Sequence, residues 1–87
     1  MHEDDVTRAQ MASFLVRTYE HRTGTELPRG GDHFPDDDGT VHEAAIDAAA
    51  EAGLAAGYGD GRYRPATHVT RAEMVSFLAR LIDRLVA

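Results

Sequence analysis

The stretch Val6-Thr-Arg-Ala-Gln-Met-Ala-Ser-Phe-Leu-Val-Arg17 returns almost unchanged as Val69-Thr-Arg-Ala-Glu-Met-Val-Ser-Phe-Leu-Ala-Arg80. The copies differ only at Gln10/Glu73, Ala12/Val75 and Val16/Ala79. So close a match marks an internal repeat, and a repeat constrains architecture before any single element does. The offset between the copies exceeds most solenoid periods, so each unit holds more than one helix.

Each copy carries its own start signal. Thr7 and Thr70 are natural N-caps, and Gln10 and Glu73 stand three residues on, which is capping-box spacing. Val6 with Met11, and Val69 with Met74, are placed to form hydrophobic staples. Met11, Phe14, Leu15 and Tyr19 recur at helical spacing, as do Met74, Phe77, Leu78 and Leu81. Both copies therefore read as amphipathic helices with one buried face, over 6–20 and 69–85. A third helix is expected between them. Thr40 and Glu43 repeat the capping-box spacing, Ile46, Ala49 and Ala50 are candidates for the inner face, and Gly53-Leu54 suits a C-terminal stop. The segment from His21 to Gly39 is rich in glycine and proline and reads as a loop anchored by Phe34. Gly57-Tyr-Gly-Asp-Gly-Arg-Tyr-Arg-Pro65 is turn chemistry, with Tyr58 and Tyr63 available to pin it. The expected class is all-α: a small bundle of three helices with long connecting loops.

Composition narrows the function. A chain of 87 residues suffices for one domain and not two. A domain of this size buries only roughly 60% of the surface its unfolded chain exposes, so modest stability or association with another chain is expected. Cysteine is absent, which removes disulfide staples and thiolate metal sites. The formal net charge is −6 and no basic cluster is present, which argues against nucleic acid as a partner. No stretch approaches the roughly 20 apolar residues of a membrane span. The opening Met1-His2-Glu3-Asp4-Asp5 is polar and acidic, unlike a signal peptide.

An ordered set of motifs resembles a known family. Phe34-Pro-Asp36, Ala45-Ile46, Ala52-Gly53-Leu54, Gly57-Tyr58-Gly59-Asp60-Gly61-Arg62-Tyr63-Arg64-Pro65 and Val69-Thr-Arg-Ala-Glu73 together are similar to one repeat of the surface-layer homology (SLH) family. By that resemblance residues 1–87 are one SLH-like domain: 32–85 a complete repeat, 6–20 the terminal helix of a preceding one. The resemblance implies a non-catalytic module that attaches exported bacterial proteins to secondary cell-wall polysaccharide, often pyruvylated, with no cofactor. The expected location is the cell surface or cell wall, as part of an exported protein. Modules of this family usually come in threes, and the motif's arginine helps hold the acidic sugar beside the next repeat's loop. The motif falls on Thr70 to Glu73, with a degenerate copy on Thr7 to Gln10. Two departures stand out: Val41 occupies the place where the family often has tryptophan, and only one full repeat is present. The alternative function is a protein-assembly module of the same fold without sugar binding.

The candidate ligand contacts are Thr7, Arg8, Thr70 and Arg71, with Gly57, Gly59, Asp60 and Gly61 of the turn-rich loop. Arg8 and Arg71 each occupy the first helical position, where a cation opposes the helix macrodipole by a few tenths of a kcal/mol. Arginine matches a carboxylate bidentately, as a pyruvyl group requires; an internal ion pair is the competing role. Arg8, against the loop from Gly57, is expected to matter more than Arg71, and its loss to cost binding rather than stability. Asp36-Asp37-Asp38-Gly39 invites a calcium reading, but counting from Asp32 or Asp36 puts Asp37 or Val41 where an EF-hand needs glycine. His33, His42 and His68 are scattered without metal-ligand spacing, and Ser13 and Ser76 have no histidine nearby in sequence. No metal site and no catalytic residue is expected. The repeated apolar stripe predicts a homo-oligomer, a dimer in the first instance, with Phe14, Phe77 or their helical neighbours at the contact.

Overall fold

A computed structural model describes residues 6–28, 42–55 and 61–86. Its helices are α1 (Arg8–Thr23), α2 (Glu43–Glu51) and α3 (Arg71–Val86), and no strand occurs among the described residues. The all-α bundle expected from the repeat is what the chain forms.

The start of α1 shows why the repeated motif begins a helix. The first backbone N–H groups of a helix have no intrahelical acceptor. Here Arg8 N donates to Thr67 O (2.8 Å), Ala9 N to Pro65 O (3.0 Å) and Gln10 N to Thr7 Oγ1 (3.1 Å). Thr7 N in turn donates to Gln10 Oε1 at 2.9 Å, which closes the capping box. Val69 N donates to Val6 O at 2.7 Å beside an isolated antiparallel bridge between Thr7 and His68. The chain entering α1 and the chain entering α3 are therefore laced together by backbone. Helix α3 repeats the box: Thr70 N donates to Glu73 Oε1 (2.9 Å) and Glu73 N to Thr70 Oγ1 (3.1 Å).

Helix α2 differs from expectation at its start. It opens at Glu43 behind His42, whose side chain makes no capping bond, and Thr40 lies outside the described residues. Its end is the expected one. Leu54 N donates to Ala49 O (2.8 Å) and Gly53 N to Ala50 O (3.1 Å), the paired bonds of a Schellman stop, with Gly53 at φ 77°. Leu54 just beyond is fully buried. On α2 the inner face is Ile46, Asp47, Ala48 and Ala49, whereas Ala50 is only partly covered. Small side chains there let α1 approach through its own Ala9 and Ala12, both buried.

The two repeated helices do not bury the same face. Helix α1 turns Arg8, Ala9, Met11, Ala12, Leu15 and Val16 inward, and α3 turns Phe77 and Leu81 inward. Phe14 is 47% exposed while its counterpart Phe77 is 2% exposed. The expectation that Phe14 sits in a buried stripe is therefore corrected, whereas Phe77 keeps to the expected buried face and so drops out of the expected dimer contact, which named Phe14, Phe77 or their helical neighbours. Each helix has an apolar arc wider than its covered part, and its neighbours select which edge is covered. Tyr63 closes the core from the loop side, fully buried. Phe34 and Tyr58 lie outside the described residues.

Candidate functional site

Arg8 is the charged residue around which the described loop and both repeated helix starts converge. It is 4% exposed. Its Nε donates to Tyr63 O at 2.7 Å, and Nη1 donates to Glu73 Oε2 at 3.2 Å, forming an ion pair. The guanidinium carbon lies 4.4 Å from the Tyr63 ring centroid and 5.3 Å from that of Phe77, so the cation has an aromatic π-face at both distances. Tyr63 Oη donates back to Arg8 O at 2.8 Å. A buried arginine needs such a set of acceptors, because an unpaired charge in this position would carry a heavy desolvation cost.

Glu73 does two jobs. Oε1 accepts the capping bond from Thr70 N, and Oε2 accepts from Arg8. The matched residue in α1 is Gln10, which caps equally well but carries no charge. Of the three differences between the copies, the change from glutamine to glutamate is thus the one with an electrostatic reason: α3 must cap itself and also neutralise the arginine of α1. An internal ion pair is the role that competes with ligand binding for Arg8, and the structure forms one. The partner is the capping glutamate of the other copy, and the Gln10/Glu73 difference is the one trace of that pairing in the sequence.

The approach to Arg8 runs through an unusual turn. Gly61 sits at φ 83°, as its residue type allows, and Arg64 at φ 60°, which a side-chain-bearing residue adopts at a cost of roughly 1–2 kcal/mol. Arg64 directly precedes Pro65, where extended backbone is the norm. This turn directs Tyr63 O at Arg8 and Pro65 O at Ala9 N.

The remaining candidates are divided. Thr7 and Thr70 both accept capping bonds through Oγ1, and each hydroxyl retains its own hydrogen for donation. Arg71 occupies in α3 the place of Arg8 in α1, but it is exposed, and none of the hydrogen bonds or ion pairs of the described residues involves its side chain. Gly61 is exposed. Gly57, Gly59 and Asp60 lie outside the described residues, as do Asp36, Asp37, Asp38 and His33. Ser13 does meet a histidine that sequence proximity did not reveal: its Oγ lies 2.7 Å from His42 Nδ1, tying α1 to the start of α2. Among the described residues no three metal-ligating side chains cluster, and no helix is long and apolar enough to cross a membrane.

No curated protein and no solved structure matches the chain. The family model of the S-layer homology domain matches residues 33–75, a stretch that takes in α2, the loop carrying Tyr63 and the first turn of α3 with Glu73. Domains of this family are non-catalytic modules that anchor proteins at the cell surface. With Tyr63, the Thr70–Glu73 box and the α2 stop all inside that match, residues 33–75 carry the pattern of an S-layer homology domain.

Proposed function

We propose that the chain anchors its parent protein, without covalent chemistry, to a secondary cell-wall glycopolymer bearing acidic sugars. In this reading α1 is the terminal helix of a preceding repeat and residues 32–85 are a complete one. The observation that carries it is the pair of arginines at matched helix starts. A cation at the first helical position works against the macrodipole, so helix stability does not select it. Arg8 answers to Glu73; exposed Arg71 has no such partner among the described residues and is open to a ligand carboxylate. Beside it, among the described residues, Arg71 N and Ala72 N have no counterpart of the Thr67 and Pro65 carbonyls that serve Arg8 and Ala9. A carboxylate placed there meets a guanidinium fork and helix N–H donors together.

Thr7, Arg8, Thr70, Arg71 and the loop residues Gly57, Gly59, Asp60 and Gly61 remain the proposed contacts. Burial changes their expected order: Arg71 leads, and a sugar acid reaches Arg8 only by taking the place of Glu73 Oε2. The test is retention on purified cell walls, with and without their secondary polymer. Retention that depends on the polymer, and that Arg71→Ala reduces while leaving helical content intact, supports the reading. Equal retention on stripped walls would overturn it.

A further inference from the structure

We draw no further inference here: the strongest candidate, the apolar groove between α1 and α3 lined by Val6, Met11, Phe14, Met74 and Leu78, carries nothing because nothing in the structure shows what covers it.

Discussion

Replacing Arg8 by alanine should unfold much of the chain's stability, not merely its ligand binding. The guanidinium is 4% exposed and satisfies Tyr63 O and Glu73 Oε2 together, against the Tyr63 and Phe77 rings. Removing one member of a buried ion pair costs roughly 3–5 kcal/mol, because the other is left without compensation. Glu73 is 24% exposed and can recover some hydration, which places the cost near the lower end, about 3 kcal/mol. For a domain of this size that corresponds to a fall in Tm of roughly 12–24 °C. Arg71→Ala removes the matched side chain from an exposed position without a partner among the described residues and should change stability by no more than about 0.5 kcal/mol. Urea denaturation followed by far-ultraviolet circular dichroism measures both. If Arg8→Ala moves the unfolding free energy by less than about 1 kcal/mol, or if the two variants behave alike, the Arg8 cage does not hold the fold.

Thr7→Ala and Thr70→Ala should each cost about 0.5–2 kcal/mol in denaturation, since each removes the acceptor for a helix N-terminal donor. Unchanged midpoints in both would mean that the boxes contribute nothing. Gly53→Ala should cost roughly 1–2 kcal/mol for its left-handed conformation, since the Arg84 guanidinium that a Cβ would meet is the end of a flexible side chain that can move aside; a neutral effect on Tm would count against the left-handed stop. Glu73→Gln keeps the capping geometry that Gln10 demonstrates in α1 but takes the carboxylate charge from the buried Arg8, so stability should fall by roughly 3–5 kcal/mol. Under the anchoring reading, retention on polymer-bearing walls should then rise, and a fall in retention with intact helical content would count against a ligand that competes with Glu73.

What the sequence displayed was local. The capping boxes at Thr7 and Thr70 and the Gly53 stop depend on residues three to five apart and form where their spacing says, whereas α2 opens at Glu43 behind His42 and the box expected from Thr40 is not among the described bonds. The partner of Arg8 depends instead on how α1 and α3 approach, across a separation of 65 residues, and no periodicity encodes that approach. The same holds for the buried faces. Met11, Phe14 and Leu15 mark an apolar arc on α1, but an arc wider than one contact does not say which edge meets the core. Nearly identical arcs on α1 and α3 bury opposite edges because α2 covers one and α1 covers the other. Ser13 and His42 show the complementary failure, since they are 29 residues apart in sequence and 2.7 Å apart in space.

The double duty of Glu73 explains how one arginine could serve both folding and binding. Its two oxygens are committed separately, Oε1 to the start of α3 and Oε2 to Arg8. An incoming carboxylate that displaced Oε2 would leave the capping bond, the Nε bond to Tyr63 O and both aromatic contacts in place. Only one arm of the guanidinium would change partner, and an anion would replace an anion, so the buried cation would stay neutralised throughout. The copy at Arg71 lacks both the carboxylate and the covering loop among the described residues, which leaves its fork available at once. The same motif, read twice along one chain, therefore yields an arginine whose first partner is the fold and an arginine whose first partner must come from outside the described structure.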